Sequence, residues 1–358
     1  IEWKLFRRDF VRYYEREAYP ATLQRTLAPY LTRGHLDLPE FGFRVNINLS
    51  ADIAGIDRPE GSEAETDALV ALTRKFSEGA TLFHSTRDKN TVRQEVAAAL
   101  KQFNEQFLLP SRSRRETLLQ QLDEGSLTED AVPRDILTVL LANRAEQDLD
   151  DDMILREVAF FMQAGSHSSA NALTHSFHEI NEWCRHHPED RARLLTDDQF
   201  LQRCVHESLR LHPASPVAWR TASEAFSLPD GTDVAEGDSV VIDLMSANLE
   251  APLFGEDAET FNPHRTVAER IPPFGLSFGI GIHTCFGRDI AGGLGNTKTE
   301  GEAPHLGTLT NLLKNLMQHD ARPDPANPAI ADAGTERPNW GSYPLMIGQR
   351  TNDAGAAT

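Results

Sequence analysis

Apolar residues recur at helical spacing through the first two thirds of the chain. Residues 1–31 combine Trp3, Phe6, Phe10, Tyr13 and Tyr14 with Arg7, Arg8, Arg12 and Arg16, which predicts an amphipathic helix with a solvated basic face. Residues 41–56 (FGFRVNINLSADIAGI) read either as a strand leading into a buried helix or as helix throughout, and periodicity does not choose between them. A loop at 57–63, a helix over 65–76, a helix over 92–109 and a polar stretch from Pro110 follow. The acidic runs at 124–130 and 146–152 read as solvated helix ends or loops. Residues 151–185 predict a long helix with an apolar middle and polar ends, and 197–211 predict another. Beyond Pro213 the pattern changes to short strand-like pieces at 219–228 and 239–244, separated by the turn residues Pro229, Asp230 and Gly231. A proline-rich region, a glycine-rich loop, a helix over 308–319 and an irregular tail complete the chain. No internal repeat is evident. The pattern predicts a single mainly α (α+β) domain over residues 1–358.

Composition changes this picture little. The 358 residues are 40% hydrophobic and 25% charged, ordinary values for a soluble globular protein. A formal charge of −19 argues against general nucleic-acid binding and against adhesion to an anionic membrane surface. No run of apolar residues reaches membrane-spanning length, and no signal peptide is visible. Three cysteines, Cys184, Cys204 and Cys285, do not make a disulfide framework, which favours a reducing, cytoplasmic setting. The chain begins at Ile1 without methionine, inside a predicted helix, so a segment before it is expected.

Candidate chemistry concentrates in residues 273–293, PFGLSFGIGIHTCFGRDIAGG, where Phe278, Gly281, His283, Cys285 and Gly287 form F-x-x-G-x-H-x-C-x-G. Glycines there let the backbone turn tightly and approach a flat cofactor, and amides at a following helix start stabilise a thiolate. On its own such a cysteine is a nucleophile, a metal ligand or a small buried residue. Within 151–185, Ala164, Gly165, Ser166, His167 and Ser168 interrupt an apolar helix with small and polar groups; close helix packing and a lined cavity both account for them. Glu207 and Arg210, at i and i+3, share a helix face.

Together these motifs resemble the cytochrome P450 family. The loop resembles the family's proximal haem loop, which implies that Cys285 is the axial ligand of haem iron, with Phe278, Gly279 and Gly287 against the cofactor. Glu207 and Arg210 match its E-x-x-R, and Arg265 of FNPHR matches the third member of that structural triad. Arg220 and His283 match contacts to the haem propionates. The helix over 151–185 matches the distal helix, so Ala164 and Gly165 are expected to leave room for dioxygen. Ser168 stands where threonine is usual and His167 where an acid is usual. Their implied roles are a hydrogen bond from Ser168 and a proton relay through a near-neutral His167, with a solvent- or salt-bridge-facing histidine as the alternative.

The resemblance implies the P450 fold, with its small β-sheets and with haem b between the distal helix and the cysteine loop. It implies insertion of one oxygen atom from O2 into a small apolar substrate, by hydroxylation or oxidative demethylation. Electrons would come from a separate ferredoxin or flavodoxin with its reductase, and Arg288 is a candidate contact for that donor. Leu82, Phe83, residues 217–219 and residues 340–343 are candidate pocket positions. Two departures stand out. The helix after the cysteine is expected to break at Gly292, Gly293 and Gly295, and the family's early sheet and a haem-binding histidine are expected before Ile1. The rival readings are a peroxide-driven or non-oxidative haem-thiolate enzyme, and a truncated haem-binding relative without activity.

Overall fold

The computed structural model describes residues 5–294 and 304–348. Trp3, Gly295 and the tail beyond residue 348 therefore lie outside the described residues. The chain divides into two compact units, Ile1–Thr174 with Asp289–Thr358, and His175–Arg288.

The first unit is mainly helical. Its opening segment runs as an α-helix Arg8–Tyr13, a π-helical turn Tyr14–Ala18 and an α-helix Tyr19–Arg33. A second π turn, Asn104–Leu108, lies between helices Lys89–Phe103 and Leu109–Asp123. Each wide turn ends one residue short of a proline, Pro20 and Pro110. A proline ring clashes with the carbonyl four residues back and offers no N–H to it. In both places the bond just ahead of the proline spans five residues instead of four, from Tyr19 N–H to the Tyr14 carbonyl and from Leu109 N–H to the Asn104 carbonyl. The helix is thereby widened where the ring needs room. The polar stretch from Pro110 is therefore helical, contrary to the sequence expectation. Ion and amide pairs four residues apart support it: Arg112 Nε donates to Glu116 Oε1 (2.7 Å), and Gln120 Nε2 to Glu124 Oε1 (2.8 Å).

The ambiguous segment at 41–56 is helix throughout, Leu38–Ala54. Its apolar side chains at 41, 43, 45, 47 and 49 alternate like those of a strand, yet Gly42 and Asn46 between them are buried too. The ends decide the conformation. Asp37 caps the first turn by accepting from Glu40 N–H, Pro39 fits that turn, and Gly55 closes the last one at φ 86°. Asp37 Oδ2 also accepts from Tyr343 N–H (3.0 Å) and from Ser342 Oγ (2.5 Å). Beside it, strands His35–Asp37, Pro344–Met346 and Arg322–Pro323 form a three-stranded antiparallel sheet with Pro344–Met346 in the centre. The C-terminal segment read as irregular thus carries strands, Ile330–Ala331 paired with Trp340–Ser342 among them. Helix Gly307–Gln318 buries Leu309, Leu312, Leu313 and Leu316. Glu15, on the first π turn, accepts from Leu306 and Gly307 N–H (2.9 and 3.3 Å) at the start of that helix.

The second unit begins inside the 36-residue helix Asp151–His186 and contains helices Pro188–Thr196 and Asp198–Leu211. Asp197 caps the latter, accepting from Phe200 N–H at 2.9 Å. Two antiparallel ribbons follow: Val217–Thr221 with Ser239–Asp243, and Phe226–Ser227 with Asp233–Val234. The cysteine loop leads to a five-residue helix Arg288–Gly292, and Gly293 at φ 74° stops it, the early end that the glycines predict. Among the described residues no helix is long and apolar enough to cross a membrane.

Candidate functional site

The second unit holds the cysteine loop and the groups that fix it. Helix Asp198–Leu211 presents Glu207 and Arg210 on one buried face. Arg210, 0% exposed, donates from Nε to Glu207 Oε2 (2.9 Å) and from Nη2 to Oε1 (2.7 Å), a two-pronged pair. Its Nη1 donates to the carbonyls of Asn248 and Ala258, both at 2.7 Å. Glu207 Oε1 also accepts from Arg265 Nε (3.0 Å) and from Asn262 N–H (3.1 Å). Arg265 continues to Asp257 Oδ1 (2.5 Å) and to the carbonyls of Phe254, Asp257 and Thr260. The structure brings Glu207, Arg210 and Arg265 into one network, in which the buried carboxylate and guanidinium are both fully partnered.

Two residues that sequence reasoning missed tie this network to the loop. Asn248, buried in the helix Leu244–Asn248, donates from Nδ2 to the Arg210 carbonyl (3.0 Å) and accepts at Oδ1 from Leu276 N–H (2.7 Å). Ser277 donates from Oγ to the Leu209 carbonyl (2.6 Å) and accepts from Asn248 Nδ2 (3.1 Å). Gly275 is required beside them: at φ 58° a Cβ there would stand 2.2 Å from Asn248 Oδ1. Packing adds to the polar ties. His206 meets Phe274 edge to face at 5.4 Å between centroids, and Phe274 meets Phe278 likewise at 5.0 Å.

At the tip of the loop, Cys285 N–H donates to the Phe278 carbonyl (2.8 Å), closing the turn across Gly279 and Gly281, both at φ 69°. A Cβ at Gly279 would come within 3.1 Å of the His283 carbonyl. Gly287 lies 3.9 Å from the Cys285 sulfur by the same measure, ordinary contact. Cys285 is exposed, as are Ile280, Phe286 and Ile282, the last by 93%. His283 ends a one-turn 3-10 helix Gly281–His283, and Arg220 is exposed on strand Val217–Thr221, donating to the Trp219 carbonyl (2.7 Å). A soft thiol on an anchored loop, exposed apolar side chains next to it in the chain, and the cationic or hydrogen-bonding side chains of Arg220 and His283 are residue types that fit an iron porphyrin with two carboxylates. By contrast, burial pushes the Cys184 thiol up to about 11 and the Cys204 thiol well above its ordinary value, which leaves both protonated.

In the first unit, the small and polar residues of helix Asp151–His186 divide between packing and chemistry. An ideal Cβ at Gly165 would stand 2.5 Å from Ser50 Oγ, so the missing side chain leaves room for helix Leu38–Ala54. A Cβ at Gly42 of that helix would stand 3.2 Å from the Ala170 Cα, so this glycine too allows close packing. Ser166 is buried and bonds back to the Met162 carbonyl (2.7 Å). Ala164 is half-buried, and Ser168 donates from Oγ to the Ala164 carbonyl (2.8 Å), leaving its oxygen lone pairs available.

His167 departs from the near-neutral relay expected of it. Its Nε2 faces Arg337 Nη2 at 2.6 Å. Its ring lies 5.7 Å from that of Phe43, whose face carries Arg74 at 4.4 Å. Burial first, and then the charges of Arg337 and Arg74, lower its pKa from 6.5 to about 4. An unfolded chain takes up this proton below its ordinary value while the folded protein refuses it. Folding stability is therefore expected to fall as pH drops from 6.5 to about 4, by on the order of 3 kcal/mol for this group. Denaturant unfolding near neutrality and near the acid end of that window checks this. His167→Gln is expected to flatten the slope, and equal slopes would remove the assignment.

Also in the first unit, a cavity of about 400 Å³ is lined mainly by Phe76, Leu82, Val96, Leu100, Ala159 and Phe160, with Gln163 beside Ala164 in the chain. Leu82 thus lines a cavity, whereas Phe83 is 73% exposed and Tyr343 is core.

A mainly helical fold with small antiparallel sheets, and a cysteine loop fastened from behind by a Glu–Arg–Arg network, define the class of haem-thiolate proteins. Solved structures share the fold: CalO2 superposes with a TM-score of 0.70 at 18% identity, covering 96% of this chain and 75% of that one. CYP109E1 from Bacillus megaterium, solved with corticosterone, gives 0.70 at 18% identity over 97% and 81%. Among curated relatives, Cytochrome P450 4F4 of Rattus norvegicus is 28% identical over 251 residues, 63% of this chain and 44% of that protein. The Cytochrome P450 family model matches residues 80–292, more than half of the sequence, and the chain belongs to this family. Its cofactor is haem. The chain spans less than half the length of the curated relatives it matches.

Proposed function

We propose that the chain is one cytochrome P450 domain that inserts one oxygen atom from O2 into a small apolar molecule, with Cys285 as the residue whose thiolate would hold haem iron. The observation that carries this reading is the exposed thiol of Cys285 on a loop whose every anchor is satisfied. Cys285 N–H is held by the Phe278 carbonyl, and Asn248, Ser277, Glu207, Arg210 and Arg265 immobilise the segments behind it. When bound, a thiolate-ligated haem supplies the electron-rich iron on which dioxygen is activated.

The chain's own residues do the remaining work. Arg220 and His283 would hold the two propionates by charge-assisted hydrogen bonds, which fixes the ring's rotation. Phe278, Gly279 and Gly287 would give it an apolar, closely approaching backbone. Ser168 would turn its hydroxyl proton from the Ala164 carbonyl towards the reacting oxygen, with Ala164 leaving the space beside it. The 400 Å³ cavity, lined by apolar residues apart from Arg93 and Gln163, favours a mainly apolar substrate; its size suits a small organic molecule. Electrons would come from a ferredoxin or flavodoxin, with Arg288 on the cysteine side as a contact. Three cysteines outside any disulfide support a cytoplasmic setting.

The test is turnover under 18O2 with a reconstituted ferredoxin and reductase, using apolar compounds chosen by their low-to-high-spin shift of the haem spectrum. The expected product carries one labelled oxygen atom. Product formed with hydrogen peroxide alone would favour the peroxide-driven reading. A purified chain that takes up no haem would overturn the function altogether.

A further inference from the structure

Four elements of the first unit meet around His167, and their chemistry constrains where its proton sits. The histidine belongs to helix Asp151–His186, Phe43 to Leu38–Ala54, Arg74 to Glu63–Ala80, and Arg337 to the segment after strand Ile330–Ala331. Arg337 Nη2 stands 2.6 Å from His167 Nε2, and Asn171 Nδ2 stands 3.4 Å from the same nitrogen while donating to the His167 carbonyl (3.0 Å). A guanidinium has only donors and keeps its charge at any accessible pH. The nitrogen facing it must therefore be the unprotonated one, and the imidazole proton is confined to Nδ1. That Nδ1 is buried and has no hydrogen-bond partner among the described residues. The charged groups acting on the cluster are Arg337 and Arg74 on His167, Asp332 on both arginines, and Glu40 and Asp37 on Arg74.

We propose that Arg337 is a positioning residue that locks His167 in its neutral Nδ1–H tautomer, making it a fixed hydrogen-bond donor and not a proton relay. A relay has to give a proton from one nitrogen and recover one at the other. If His167 gave up its Nδ1 proton, Nε2 would have to be reprotonated by Arg337, which does not release protons in the working range. Passage through the ring is thus closed while Arg337 is in place. The proton needed beside Ser168 has to arrive by another route. The placement of Ser168 beside the reacting oxygen rests on the function proposed above; the tautomer lock of His167 does not.

The experiment is nitrogen NMR of 15N-histidine-labelled protein, full length and haem-loaded in its diamagnetic ferrous carbon monoxide form. His167→Gln identifies the signal. The expected wild-type spectrum has a protonated Nδ1 and a bare Nε2, unchanged from about pH 5.5 to about pH 8. Arg337→Met removes the lock, and the midpoint should rise by roughly one to two pH units, with the second tautomer appearing. Arg337→Lys retains a cationic donor and should keep the wild-type tautomer, which preserves the test if the methionine variant does not fold. A wild-type His167 that titrates inside that window, or carries its proton on Nε2, overturns the proposal. So does an Arg337→Met spectrum identical to wild type. A chain without haem is diamagnetic and yields the same imidazole signals, so failure of the haem assignment and failure of the lock are read separately.

Discussion

Cys285→Ala is expected to abolish the absorption band that reduced, carbon monoxide-treated thiolate-ligated haem displays, and to lower turnover by on the order of 10³-fold or more. The loop itself should survive the change. Its closure depends on the backbone bond from residue 285 to the Phe278 carbonyl, and its anchorage on Asn248 and Ser277, none of which uses the sulfur. Haem is expected to bind more weakly but to be retained in part, through the contacts proposed for Arg220 and His283. No other thiol can substitute, because burial holds Cys184 and Cys204 protonated. Absorption spectra of the wild type and the variant at equal haem content decide the matter. An undiminished thiolate band in the alanine variant would show that the ligand lies elsewhere.

Arg210→Met should be nearly as damaging, through the scaffold instead of the iron. The substitution conserves much of the apolar stem but leaves Glu207, a carboxylate with 4% exposure, with only Arg265 and the Asn262 N–H, both on Oε1. It also removes the donors that the Asn248 and Ala258 carbonyls accept from. Breaking a buried ion pair from one side costs about 3–5 kcal/mol, because the remaining charge keeps its desolvation penalty. Asn248→Ala, which leaves every charge paired, is expected to cost less, about 1–3 kcal/mol. Denaturant midpoints of the haem-loaded variants measure both. An Arg210→Met midpoint equal to wild type would mean that the network carries no stability.

The parts of this protein legible from sequence are those whose function depends on local spacing. Glu207 and Arg210 fall on one helix face because they are three apart, and the cysteine loop is recognisable because its glycines, histidine and cysteine lie within ten residues. Asn248 and Ser277 were invisible for the opposite reason: an asparagine and a serine of ordinary type acquire their roles only when segments 28 or more residues apart meet. His167 shows the same limit more sharply. Its identity suggested a group titrating near neutrality, but burial first, and then the charge of Arg337, 170 residues away, reverse that expectation. Helix Leu38–Ala54 was ambiguous because burial on all sides erases the contrast that periodicity needs, and only Asp37, Pro39 and Gly55 at its ends settle it. Helix Leu109–Asp123 was missed because Pro110 reads as a stop unless the preceding turn is wide.

Those wide turns have a consequence for how the chain can change length. A π turn accommodates one residue more than an α turn, and that residue rotates everything downstream by about 100°. Residues 14–18 and 104–108 therefore behave as single-residue insertions held in register by the prolines that follow them. A relative with a helix-forming residue in place of Pro20 or Pro110 can lose one residue from the turn before it and still present the same helix face. Pro29, accommodated in the last turns of its helix without such a turn, confers no comparable freedom. Gaps of one residue in comparisons with longer P450 chains are thus expected at these two points, each accompanied by the loss of its proline.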